Sequence, residues 1–169
     1  HHAERTPVSF PDMIKMGDAL VKTGFLPDHI KTGAQAAAII MTGAELGMPP
    51  MRALRSLSMV KGKVVEDASS QLARFKSDGG SSSFRHGRCG FTGCKAKKDK
   101  DGNADHLDDE HASIWLRHPN ANEHVETWTA ADSAKAQITS GMHQKFPKAM
   151  FRSRAITAGL KSIGWEGAI

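Results

Sequence analysis

The sequence predicts an α+β domain with a mainly antiparallel sheet, and three observations carry that expectation. Apolar residues recur at helical spacing near both ends of the chain. A two-residue turn of the hairpin kind, Lys61-Gly62, separates two short β-prone runs. Two further runs alternate across a Pro-Asn-Ala-Asn turn at 119–122. Helices interleaved with hairpins in this way favour helices packed on an antiparallel sheet.

In chain order, Ser9 caps a first helix with Pro11 in its first turn, where a missing N–H costs little. Met13, Met16, Gly17, Leu20 and Val21 share its face, and Gly24 closes it before Pro27. A second helix spans about Gly33 to Leu46. Its Ala- and Ile-rich surface suits deep packing, and Gly47 and Pro49-Pro50 end it. A hairpin follows, Leu57 to Val60 against Lys63 to Val65, with Gly62 supplying the positive φ that the turn needs. Asp67 or Ser69 caps a third helix to about Lys76, which Asp78-Gly79-Gly80 breaks. Ser83 to Cys89 reads as a weak strand, His111 to His118 as a strong one, and Val125 to Thr129 as its hairpin partner. Thr129 caps a helix from Ala130, and a final helix runs from Pro147 to about Ile163.

The 169 residues, 39% hydrophobic and 24% charged, are enough for one real core, so residues 3–169 read as a single domain and His1-His2 as a tag remnant. No stretch approaches the roughly 18–20 apolar residues of a membrane helix, so no membrane is expected. Two cysteines do not make a disulfide scaffold, which favours a cytoplasmic home. The net charge of +5 permits an anionic partner.

That charge is concentrated. Lys145, Lys148, Arg152, Arg154 and Lys161 lie in a segment without an acid. A helical wheel puts Ala149, Ser153, Ile156, Leu160 and Ile163 on the core face, which leaves Phe151 outward between two basic flanks. An outward ring among cations is what stacking on a nucleic-acid base requires. The competing reading gives Phe151 to a second layer or a subunit contact, and leaves the charges as a solvated face. Arg52, Arg55, Lys61, Lys63, Arg74 and Lys76 form a second basic run, with Glu66 and Asp67 as its acids. Lys at a hairpin tip is also common for solubility alone.

Cys89, Cys94, His106 and His111 give C-x4-C-x11-H-x4-H, formally near a two-Cys, two-His zinc pattern. Between the ligand pairs, Lys95 to Asp105 offers only Ala96 and Ala104 as apolar residues, and His86 is a spare ligand. The sequence therefore favours no metal: the cysteines read as ordinary strand residues, zinc is set aside, and no cofactor is expected beyond an Mg²⁺ dependence of binding. Asp99, Asp101, Asn103, Asp105 and Glu110 approach a calcium-loop series, but Ala104 stands where that loop needs Gly and no amphipathic helix precedes it. Residues 95–110 read instead as a solvated, mobile excursion. Asp105, Asp108, Asp109 and Glu110 are the residues a divalent-metal nuclease would use, but they lack a hydrophobic frame. No nucleophile elbow, P-loop or dinucleotide fingerprint occurs, so no catalytic residue is assigned.

Three blocks carry a family resemblance. The first runs from His29-Ile30-Lys31-Thr32 through Gln35-Ala36 and Glu45-Leu46-Gly47-Met48-Pro49-Pro50-Met51-Arg52-Ala53-Leu54-Arg55-Ser56 to Val60-Lys61-Gly62-Lys63. The second is Glu126-Thr127-Trp128-Thr129-Ala130-Ala131-Asp132-Ser133-Ala134-Lys135-Ala136. The third is Lys145-Phe146-Pro147-Lys148-Ala149-Met150-Phe151-Arg152-Ser153-Arg154-Ala155-Ile156. In content and order they resemble the RecT-type phage single-strand annealing proteins, over about Pro27 to Leu160. The resemblance implies a curved antiparallel sheet backed by helices, binding of single-stranded DNA, and annealing of complementary strands without ATP. It also implies ring or helical homo-oligomers and partnership with a phage exonuclease and a host single-strand binding protein. The excursion at 89–110 is longer than the family's usual connection, and the chain stops at Ile169, where such proteins continue into a C-terminal tail.

On this reading Lys145, Lys148, Arg152 and Arg154 hold phosphates, with Arg52, Arg55, Lys61 and Lys63 across a groove. Phe146, Phe151 and Trp128 supply the few aromatic contacts that leave bases free to pair. The runner-up is a zinc-stabilised nucleic-acid-binding regulator built on Cys89, Cys94, His106 and His111; the third reading is the nuclease.

Overall fold

The computed structural model describes residues 9–138 and 141–167; His1-His2 lie outside the described residues. The sequence reading treats the chain as one domain with one core. Its packing groups into two compact units, the first ending at Asp67 and the second starting at Ala68, each with its own core.

The first unit holds α1 (Phe10–Lys22), α2 (Gly33–Glu45), α3 (Pro50–Ser56), and the hairpin of β1 (Leu57–Val60) and β2 (Lys63–Glu66). Ser9 caps α1 through the Asp12 N–H. Thr32 and Gln35 form a reciprocal capping box on α2. Helices α1 and α2 cross where side chains are absent: a Cβ on Gly33 would lie 2.4 Å from the Ile14 carbonyl oxygen. Asp18 completes the crossing by accepting from the Gly33 N–H at 2.7 Å. Helix α3 is absent from the sequence reading, which takes Pro49-Pro50 only as a stop. Pro50 is its first residue, where the missing N–H is an orphan in any case. Lys61 and Gly62 both have positive φ, 50° and 76°, so the hairpin turns as expected. Ile39, Leu54 and Leu57 fill the core.

The second unit holds α4 (Ala68–Ser77), β3 (Ser81–Ser83), β4 (Arg85–His86), β5 (Ala104–Asp105), β6 (His111–His118), β7 (Ala121–Thr129), α5 (Ala130–Lys135), α6 (Gly141–Lys145) and α7 (Pro147–Ser162). Strands β3, β6 and β7 form an antiparallel sheet in that order, and β4 pairs with β5. An α+β class with antiparallel sheets is therefore what the chain adopts. Alternation along β6 sends Ala112, Ile114 and Leu116 to the core, against Phe75 of α4 and Ile156 and Leu160 of α7. A Cβ on Gly159 would meet Leu116 at 2.7 Å, so α7 lies close on the sheet.

The buried face of α7 is the one the wheel gives at Ile156, Leu160 and Ile163, but not at its N-terminal end. Phe151 is 4% exposed and sits in the core with Ala155, Ile156, Leu160 and Ile163, whereas Ala149 is exposed and Ser153 half-buried. Ala149 and Ser153 are small; burial instead follows Phe151, whose side chain removes more area from water. Among the described residues, no helix is long and apolar enough to cross a membrane.

Candidate functional site

The excursion at 89–110 is anchored at its base. Pairing of Arg85 with Asp105 and of His86 with Ala104 brings the two ends of the segment together. The N–H of His106 donates to the Phe84 carbonyl, and the Ser113 N–H donates to the His106 carbonyl at 2.7 Å. The segment thus lies over the sheet face opposite the helices, where His111 and Ser113 of β6 are fully buried. Gly90 donates to the Thr127 hydroxyl, which itself donates to Ser113 Oγ at 2.9 Å.

This base collects Cys89, Cys94, His106 and His111, with one ligand atom of each within 4.8 Å of all the others. Cys89 Sγ lies 3.4 Å from His111 Nε2, and Cys94 Sγ 3.3 Å from His106 Nδ1. The far nitrogen of each ring is already engaged. His106 Nε2 is 2.8 Å from the His86 carbonyl, and His111 Nδ1 is 3.0 Å from Asp108 Oδ1. Carbonyls and carboxylates only accept, so these far nitrogens carry the protons. In the neutral rings the nitrogens facing sulfur are therefore lone pairs. Burial, and then the neighbouring Cys94, push the Cys89 thiol above its usual range, against the Phe91 N–H that donates to its sulfur. Burial works against the Asp108 carboxylate as well, but the N–H groups of Glu110 and His111 and the His111 ring hold its carboxyl below the ordinary value.

The sequence reading needs no cofactor and sets zinc aside for want of an apolar frame between the ligand pairs. The clustering of the four ligand atoms overturns that. The frame comes from elsewhere in the chain: the β6 face, the Phe91 ring 4.6 Å from that of His111, and the His86 ring 4.8 Å from that of His106. His86 lies outside the group of four ligands. Its Nε2 faces the Ser113 carbonyl at 3.2 Å, and burial holds its pKa below the usual value. The acidic residues form no comparable group among the described residues. Asp99 is occupied by the N–H groups of Asp101 and Asn103 and by Arg85, and Asp108 by its own turn and the His111 ring.

Beside this base opens a cleft of about 400 Å³, lined by Leu107, Asp109, Lys145, Phe146, Pro147, Lys148, Ala149 and Arg152. It gathers three of the cations expected to hold phosphates, with Asp109 as the one acid. Lys145 and Lys148 are exposed, and the Arg152 guanidinium sits 5.6 Å from the centroid of Phe84. Phe146 is 55% exposed because it precedes the first turn of α7 and belongs to no packed face.

Other expected contacts fall elsewhere. Phe151 is a core residue, and its burial removes it as a stacking platform. Trp128 is half-buried against the same core and donates from Nε1 to Ser133 Oγ at 2.8 Å, so it is held in place as a structural side chain. Arg154 does not line the cleft; its charge acts on His143, whose pKa is lowered first by burial and then by that guanidinium. Arg52, Arg55, Lys61 and Lys63 are exposed in the first unit. Arg55 lies 5.4 Å from the ring centroid of Phe25, itself 59% exposed, an aromatic the sequence reading does not single out. Its only sequence signal is an apolar residue in the link after the first helix.

No family model, no curated protein and no solved structure matches this chain.

Proposed function

We propose that the chain binds single-stranded DNA and anneals complementary strands without ATP, the activity implied by its resemblance to the RecT-type annealing proteins. The observation that carries this reading is the cleft lined by Lys145, Lys148 and Arg152 together with the exposed ring of Phe146. Cations that hold phosphates give affinity independent of sequence, and one exposed ring stacks a base of any kind. A sparse aromatic surface suits annealing, because most bases must remain free to pair. The exposed cations of the first unit, with Phe25 beside Arg55, provide a second surface of the same chemistry. Homo-oligomers, a phage exonuclease as source of single strands, a host single-strand binding protein and a bacterial cytoplasm complete the proposal.

The experiment is fluorescence-monitored annealing of two complementary oligonucleotides by the purified chain without nucleotide, with electron microscopy of the product. Faster annealing with rings or filaments supports the proposal; a rate equal to that of the DNA alone contradicts it. The Cys89, Cys94, His106 and His111 cluster favours a second reading, a zinc-stabilised regulator of duplex DNA. Tighter binding to one duplex sequence than to single strands would select it.

A further inference from the structure

We infer that Cys89, Cys94, His106 and His111 form a structural zinc site, and that the bound ion shapes one wall of the basic cleft. The second half of this inference rests on the functional reading above; the first half does not.

Two of the six ligand–ligand distances match those around a tetrahedral ion, and all four ligand atoms lie within 4.8 Å of one another. Ligand distances of about 2.3 Å to sulfur and about 2.0–2.1 Å to nitrogen set sulfur and nitrogen roughly 3.5 Å apart around such a centre. The two sulfur–nitrogen pairs stand at 3.4 Å and 3.3 Å. Two thiolates and two neutral imidazoles balance the charge of a divalent cation, and soft sulfur with imidazole selects zinc over magnesium or calcium. Four protein ligands leave no open position, which makes the site structural. The surroundings are those of a metal centre too. His111 reaches its ligand position with Asp108 behind it, and His106 with the His86 carbonyl behind it. Such partners fix the ring tautomer with the metal-facing lone pair free. The Phe91 N–H directed at Cys89 Sγ supports a thiolate in the same way.

The ligand positions explain what the ion does. His106 and His111 bracket a four-residue loop, and two of those residues, Leu107 and Asp109, line the cleft together with the basic residues. Cys89 and Cys94 bracket the loop that carries Phe91, whose ring packs against His111 at 4.6 Å. An ion joining the two loops closes the long polar excursion at its base and holds Leu107 and Asp109 in position. Without it, the two loops are joined by the short β4–β5 pairing, by single hydrogen bonds and by the Phe91–His111 ring contact.

The test uses the full chain purified under reducing conditions. Elemental analysis is expected to give one zinc per chain. Replacement by Co²⁺ is expected to give tetrahedral d–d bands with sulfur-to-metal charge transfer, and both thiols should resist a thiol reagent until a chelator is added. Asp108→Asn keeps all four ligands and the accepting oxygen but removes the charge behind His111, so zinc affinity should fall about 10–100-fold. Less than a tenth of an equivalent of zinc, with no cobalt spectrum and freely reactive thiols, would overturn the site. Binding of a labelled single-stranded oligonucleotide, before and after chelation, tests the cleft. A loss of about tenfold that zinc restores supports the coupling, and unchanged affinity overturns it. A chain that holds zinc but binds no oligonucleotide keeps the site and removes the functional reading instead.

Discussion

The sulfur of Cys94 faces Nδ1 of His106 at 3.3 Å, on a ring whose other nitrogen already donates to the His86 carbonyl. A lone pair and a thiol brought this close, beside a second such pair, make a ligand set whose ring tautomers already suit a metal. Zinc binding should therefore appear as stability. At free zinc about 100-fold above Kd, ligation to the folded state alone adds about 2.7 kcal/mol to unfolding. Thermal unfolding with zinc and with chelator measures this, and Cys94→Ser should abolish the difference.

Phe146 and Phe151 lie five residues apart and should behave oppositely. Phe146 is exposed in the cleft, so Phe146→Ala should leave stability nearly unchanged and cost about 1–3 kcal/mol of single-strand binding. Phe151 is buried, so Phe151→Ala should cost about 3–5 kcal/mol of stability through lost contacts and a cavity. Urea unfolding and oligonucleotide titration of both variants check the contrast.

His143, in α6, has a folded-state pKa held below its ordinary value by burial and then by Arg154. The unfolded chain then binds the extra proton more readily, so this residue's contribution to stability is complete above about pH 6.5 and is lost as pH falls. In NMR titrations Arg154→Gln should raise the His143 pKa part of the way back, because burial remains.

The caps and the hairpin were legible because they depend on neighbours in sequence. Ser9, Thr129 and the Lys61-Gly62 turn act within three or four residues. Helix α3 is hard to read because Pro49-Pro50 stops a helix from continuing while Pro50 also suits the first turn of a new one, and the short α6 has no amphipathic period. The N-terminal part of the α7 face was misread because Ala149 and Ser153 satisfy a helical period as well as Phe151 and Ala155 do; the sheet packed against the helix decides between them. The metal ligands were visible as a spacing and were set aside on a local criterion, the scarcity of apolar residues between them. Their frame lies outside that stretch: the β6 face, Phe91 between the two cysteines, and the His86 carbonyl. The cleft was half legible. Its cations stand in one basic segment, but Leu107 and Asp109, which line it with them, come from the excursion.

The claim that this cleft holds single-stranded DNA is tested most directly by the salt dependence of oligonucleotide binding. The wild-type chain is compared with a variant carrying Lys145→Ala, Lys148→Ala and Arg152→Ala. Each phosphate contact on a single strand contributes about 0.7 to the slope of log K against log salt, so losing three should flatten it by about 2 and weaken binding. A variant that stays folded and keeps the wild-type affinity and slope would contradict the account.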